Sequence, residues 1–197
     1  MTPVTIQDLL SSVDYEHCRQ EYRQRIIERK KRRRITVADC ITLVFENRET
    51  VQFQTQEMIR AEHIVDTQKI QEELDVYNAL LPTKNGLSAT LFIEITDQDR
   101  IETLLNAFRH IDGPDTLAIR IGNEVVYATF ESGHSKEDKI SAVHFVQFPL
   151  TPACTAMLPD LHTSAYIQIR HPYCQADVSI PTALRQEWLT DLDIPLP

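Results

Sequence analysis

Glycine is scarce in this chain, with four in 197 residues. None falls in a Gly-x-Gly-x-x-Gly or Walker-type pattern, so the glycine-rich phosphate cradles of nucleotide-binding folds are missing. The Gly-x-Ser-x-Gly elbow of the serine hydrolases is missing too. Cysteine is sparse and scattered: Cys18, Cys40, Cys154 and Cys174 form no Cys-x-x-Cys pair. Neither a zinc ribbon nor a thioredoxin-type dithiol is indicated, and free thiols in a reducing compartment are the expectation. Long apolar runs are lacking as well. Leu91-Phe92-Ile93 is typical, far short of a bilayer span. Gln7 and Asp8 interrupt any apolar leader, so a cytoplasmic protein is expected.

What remains is an ordinary globular composition, 42% hydrophobic and 25% charged, in a length suited to one domain. The net charge of −9 is unevenly spread. Residues 1–34 hold nine basic groups against five acids, a balance of +4; the rest holds eleven against twenty-four, or −13. Most of the excess sits in Arg29, Lys30, Lys31, Arg32, Arg33 and Arg34. This run is expected at a helix end, docking on acidic surface within the chain or on a partner. Nucleic-acid binding through it is the weaker alternative, because the molecule is acidic and no aromatic residues interleave the run.

The periodicities predict a single α+β domain with a largely antiparallel sheet, helices packed on it, and an N-terminal helical segment over 1–34 ahead of a body over 35–197. Thr5-x-x-Asp8 is a capping-box pattern before a short helix. Tyr15, Cys18, Tyr22 and Ile26 give the next helix its apolar stripe. Ile41, Leu43 and Phe45 predict a strand, Asn47-Arg48-Glu49 a turn, and Val51 and Phe53 the returning strand of a hairpin, with helices over 56–66 and 68–79. Strands are predicted over 88–96, 117–121, 125–130, 139–148 and 166–170. The Gly122-Asn123 pair suits a tight primed turn. Helices are predicted from Thr96-Asp97 through Phe108, after Thr151-Pro152, and over 181–192 with Leu184 and Trp188 inward.

Chemistry concentrates in residues 45–63, where an amide-rich strand face (Gln52, Gln54, Gln56) meets Glu57, Arg60, Glu62 and His63. A candidate polar pocket gathers Asn47, Arg48, Gln54, Gln56, Glu57, Arg60, Glu62 and His63, completed by Tyr77, Asn78 and His144. An acid–base or metal site is one reading. A Glu57–Arg60 ion pair on a half-exposed helix is the simpler one, since no His-x-x-x-His spacing is present. His144 reads as a core imidazole. His171-Pro172-Tyr173-Cys174 places two donors in a constrained loop but matches no zinc pattern, and Glu131-x-x-His134 is a lone copy of a di-iron motif that requires two. No metal or cofactor is called.

Leu43-Val-Phe-Glu-Asn-Arg48, Gln54-Thr-Gln-Glu-Met58, Glu73-Leu-Asp-Val-Tyr-Asn-Ala-Leu-Leu-Pro82 and Ser141-Ala-Val-His-Phe145 together resemble a bacterial domain-of-unknown-function family of about 200 residues. The resemblance extends over nearly the whole chain. Proteins of that family are often encoded beside rubrerythrin-like proteins and iron–sulfur proteins similar to heterodisulfide reductase subunits. The resemblance therefore implies an accessory or docking role in redox or peroxide defence, with a homodimer and an iron–sulfur or rubrerythrin-like partner expected. It carries no catalytic residue with it. An enzyme or metal-binding protein using 45–63 is the alternative.

Overall fold

The computed structural model describes residues 1–131 and 140–196. The chain opens with a 3₁₀ turn, Ile6–Asp8, closed by the Thr5–Asp8 capping box. Helix α1, Ser12–Arg32, is capped by the Ser11 hydroxyl, which accepts from the Asp14 N–H at 3.2 Å. Strands β1, Arg34–Ala38, and β2, Ile41–Phe45, make a hairpin with a register shift at Thr36/Ala38. Helices α2, Arg48–Ala61, and α3, Thr67–Asn78, lead to β3, Gly86–Ile93. A 3₁₀ turn, Gln98–Arg100, and α4, Ile101–Ala107, precede β4, Leu117–Ile121, β5, Glu124–Tyr127, and β6, Thr129–Phe130. Then follow β7, Val143–Pro149, α5, Pro152–Met157, β8, Ala165–His171, β9, Cys174–Ser179, and α6, Thr182–Asp191.

These strands form two antiparallel sheets, ordered β1-β2-β3-β7-β6 and β5-β4-β8-β9. Their facing sides share one core: Leu43, Phe45, Leu91 and Phe148 from the first meet Leu117, Ile119, Ile167 and Ile169 from the second. Strand β1 runs beside β9 at one margin and β5 beside β7 at the other. Helix α6 closes this core by setting Trp188 against Phe45, ring centroids 4.6 Å apart. The opposite face of the first sheet is covered by helices, where Val51 and Leu74 join Val4, Leu80 and Leu81 in a second apolar cluster touched by Phe145. Each buried aliphatic side chain stabilises the fold by about 1.5–3 kcal/mol, so these two clusters carry most of the favourable energy.

The α+β class with antiparallel pairing is as predicted, but residues 47–61 are not. They form helix α2, with no strand at Val51 and Phe53 and no turn at Asn47. Two features decide this. Asn47 and Thr50 make reciprocal cap bonds, the Asn47 side chain accepting from the Thr50 N–H at 3.0 Å and Thr50 Oγ1 from the Asn47 N–H at 2.9 Å. Val51, Thr55 and Ile59 then fall four residues apart on the buried stripe. The alternation with glutamines was incidental, and β2 finds its partners in β1 and β3.

Smaller departures have local causes. Helix α2 stops at Ala61 because His63 turns left-handed, φ 53°, and the Ile64 N–H reaches back to the Ile59 carbonyl at 2.9 Å. The strand predicted over 125–130 breaks at Ala128, whose N–H still donates to Leu117 while the chain passes from one sheet to the other. Strand β9 escaped detection because only its alternate residues Cys174, Ala176 and Val178 turn inward, on a polar edge. At the β4–β5 turn Gly122 alone has positive φ, 57°, as a type II′ turn requires of its first central residue. His134 and Lys139 lie outside the described residues.

Candidate functional site

Helix α2 directs its polar residues toward the N-terminal segment. Gln56 is buried; its Oε1 accepts the Leu10 N–H at 2.9 Å and its Nε2 donates to the Leu10 carbonyl at 3.1 Å. Asn78, at the end of α3, does the same to Val4, at 2.8 and 2.9 Å. Gln52 donates to the Asp8 carbonyl at 2.6 Å, and Arg48 reaches the Asp8 carboxylate at 2.6 Å and the Thr2 carbonyl at 3.2 Å. That pairing with Arg48, with the Thr5 N–H and hydroxyl behind it, lowers the Asp8 pKa to about 2. The amide-rich stretch is thus a set of clamps on the backbone of the chain's own first ten residues.

The remaining charged residues of α2 face α1. Glu57 accepts from Nε and Nη2 of Arg19, at 2.7 and 2.8 Å, and from the Tyr15 hydroxyl at 2.7 Å. The Arg19 bonds hold the Glu57 carboxyl below its ordinary range, while burial and then Glu57 push the Tyr15 hydroxyl well above its own. Arg60 pairs with Glu16 rather than with Glu57. Glu62 is the C-cap and His63 the left-handed residue beyond it, both exposed. Gln54 Oε1 is buried without a hydrogen-bond partner. Tyr77 is half-buried beside the second apolar cluster. His144 lies on the far face of the first sheet, among the inter-sheet core, its Nε2 at 2.9 Å from the Ser141 carbonyl and its ring edge-on to Phe130. The sheet itself therefore separates His144 from the α2 residues.

The basic run also turns inward. Arg33 is fully buried and donates to the carbonyls of Phe45 and Glu46 at 2.8 and 3.2 Å, to Glu187 at 3.1 Å, and to Asp191. Arg32 and Arg29 add to Glu187 at 3.1 and 3.8 Å, and Arg29 also meets Glu49 at 3.0 Å. Arg34 pairs with Glu94 at 2.7 Å and Lys31 with Glu28 at 2.7 Å. Lys30 borders a 320 Å³ hollow with Ile27 and Val44. Just beneath, Glu46 is buried and accepts from Thr50 and Thr90 hydroxyls at 2.5 and 2.6 Å. Burial raises the Asp191 carboxyl above its usual range, outweighing the attraction of Arg33. Of the two destinations expected for the run, acidic groups within the chain account for five of its six members.

A third place was not anticipated as a site. A cavity of about 620 Å³ opens where β1 meets β9 and is lined by Cys40, Cys174, Asp39, Arg100, Phe108 and Tyr173. Both thiols are partly buried, unlike the fully enclosed Cys154. Burial raises both thiol pKa values, and the negative charges of Cys174 and Asp39 raise that of Cys40 further. The wall behind them is built of packed rings. Phe108 stacks on His171 at 5.7 Å and meets Tyr173 edge-on at 4.9 Å. His171 accepts the Tyr173 N–H on Nδ1 at 3.2 Å, which leaves Nε2 to donate to the Arg109 carbonyl at 2.8 Å. The sequence flagged His171 and Cys174 in one loop; Cys40 joins them only through the pairing of sheet margins, which no local spacing records. Among the described residues, no group of three or more His, Cys, Asp or Glu is arranged to hold a metal ion, and no helix is long and apolar enough to cross a membrane.

These features define an α+β protein whose two antiparallel sheets share a core, with a helical layer strapped by the N-terminal segment. The chain belongs to the family described as "Protein of unknown function (DUF3501)", matched over residues 3–192. A crystal structure at 1.90 Å, of a "novel protein of unknown function" from Burkholderia pseudomallei K96243, is 32% identical. It superposes with a TM-score of 0.89 over 98% of this chain and 100% of that one. No curated protein matches the chain.

Proposed function

We propose that the protein is an accessory protein that docks onto redox proteins, presenting the cavity between β1 and β9 to its partner. The observation that carries this reading is the meeting of Cys40 and Cys174 in one 620 Å³ hollow, beside Arg100 and the Tyr173–Phe108 edge. Aromatic rings and arginine are the side chains that anchor protein interfaces, and thiols are the groups a redox partner acts on. The implied partner is an iron–sulfur or rubrerythrin-like protein. The second place of polar concentration, around α2, supports the reading by default, because Gln56, Glu57 and Arg48 already serve internal bonds.

Self-association belongs to the same proposal, as a homodimer, supported by Val65 and Val76, which are 85% and 63% exposed beside the α2–α3 layer. Affinity capture from native cells tests the whole reading. Identified iron–sulfur or rubrerythrin-like proteins are expected with the wild-type chain and lost with Arg100→Ala combined with Tyr173→Ala. Recovery of neither class of protein overturns it. Sedimentation equilibrium giving only monomer removes the homodimer.

A further inference from the structure

We infer that Cys40 and Cys174 are a redox-active dithiol that closes to a reversible disulfide across the open margin of the two sheets. The inference rests on the cavity being the functional site, and it adds the chemistry performed there.

Four observations converge on this pair. Both cysteines line one cavity, and no other two cysteines share one among the cavities described. Both are partly accessible, so a small reagent reaches them, whereas Cys154 is enclosed in the core. Cys174 begins β9 and Cys40 lies in the β1–β2 turn just before β2, and the backbone is hydrogen-bonded at both places. The Cys40 carbonyl accepts the Glu94 N–H at 2.7 Å, and Cys174 is paired with His171, whose imidazole is held at both nitrogens. Finally, the two strands concerned, β1 and β9, lie side by side without being hydrogen-bonded to each other. A covalent link there would join the two sheets at a margin where the backbone ladder does not.

The oxidant required is a low-molecular-weight disulfide, R–S–S–R. One cysteine thiolate attacks it, forming a mixed disulfide and releasing one R–S⁻. The second cysteine thiolate attacks the protein sulfur of that mixed disulfide, forming the Cys40–Cys174 bond and releasing the second R–S⁻. The protein gives up two electrons and two protons, and the reagent becomes two thiols. Because the thiolate is the attacking form and burial disfavours it here, closure accelerates as pH rises, by roughly tenfold per unit below the thiol pKa. Disulfide geometry requires the Cβ atoms to approach within about 4.5 Å, which makes the reaction a direct gauge of how the two margins sit.

The test treats the purified full-length chain with oxidised glutathione and follows it by intact mass and peptide mapping. Loss of two hydrogen atoms, a crosslinked peptide joining Cys40 to Cys174, and reversal by dithiothreitol are expected. In Cys40→Ser the reaction should stop at a glutathione adduct on Cys174. Either of two results overturns the inference: separate glutathione adducts on Cys40 and Cys174 with no crosslinked peptide, or both thiols unmodified after unfolding-free exposure that labels Cys18. No partner is present in this assay. A chain that closes the bond yet captures no redox protein keeps the dithiol and loses the accessory role; the converse result does the opposite.

Discussion

Gln56 holds Leu10 as a neighbouring β-strand would, accepting its N–H at 2.9 Å and donating to its carbonyl at 3.1 Å through one side-chain amide. Asn78 repeats the arrangement on Val4, so the extended start of the chain is pinned at two points six residues apart. Backbone groups of this segment that would otherwise need water are satisfied by amide side chains, which carry both a donor and an acceptor. Val4 belongs to the second apolar cluster, and between the pins Ile6 and Leu9 pack against it.

Removing either pin should therefore free the segment before it unfolds the domain. Gln56→Ala and Asn78→Ala are each expected to cost about 2 kcal/mol, two hydrogen bonds at roughly 1 kcal/mol apiece. Limited proteolysis would cut first within residues 1–11 in both variants, and a urea titration would give the magnitude. Unchanged protease resistance would mean that the apolar contacts of Val4, Ile6 and Leu9 and the Gln52 and Arg48 bonds suffice to retain the segment.

His63 occupies a left-handed position at the end of α2, φ 53°, with the Ile64 N–H bonded to the Ile59 carbonyl. Glycine adopts that conformation without the steric cost a Cβ carries. His63→Gly is expected to raise stability by about 1 kcal/mol, read as a shift of the urea midpoint at unchanged slope. A loss of stability would point to a contact of the imidazole that outweighs its backbone strain.

Much of this architecture was legible where a signal was local. Thr151-Pro152 starts α5, the Tyr15–Ile26 stripe marks α1, and Gly122 makes the β4–β5 turn. The reading failed where two periods overlap. Val51 and Phe53 alternate with glutamines, yet Val51, Thr55 and Ile59 also lie on one helical face, and the Asn47–Thr50 cap decides for the helix. The site was less legible than the fold. Gln56 and Asn78 stand out as polar side chains, but their ligand is the chain's own backbone, which sequence patterns do not identify. Cys40 and Cys174 share no short spacing; only the adjacency of β1 and β9 unites them.

Two carboxylates should give the pH dependence of stability opposite signs. The Asp191 carboxyl is raised above 3.8 by burial, so between that value and its folded-state pKa the folded chain binds the extra proton and stability falls as pH rises. Glu57 is lowered from 4.5 by Arg19, so its contribution is complete above that value and disappears as pH falls through the folded-state pKa. Asp191→Asn should accordingly flatten the decline on the alkaline side of pH 3.8, whereas Glu57→Gln should weaken the loss on acidification. Denaturation series on the three proteins across the acid range would show both slopes. The same sign of change in both variants would contradict the assignment of Asp191 as the buried, burial-dominated group.

Arg185 supplies the last prediction. Its guanidinium is buried and donates to four carbonyls, those of Met157, Leu158, Asp160 and Thr163, all at 2.7 Å. These oxygens lie at the end of α5 and in the turn leading to β8, where helix carbonyls have no partner of their own. Lysine keeps the charge but presents one nitrogen in place of a planar fork, and so cannot serve all four. Arg185→Lys is expected to cost about 3 kcal/mol, with Arg185→Met costing at least as much because it removes every guanidinium bond and leaves only the Asp160 carbonyl another donor, the Thr163 N–H at 3.0 Å. A Lys variant within about 0.5 kcal/mol of wild type by urea titration would mean that water replaces the guanidinium at these oxygens.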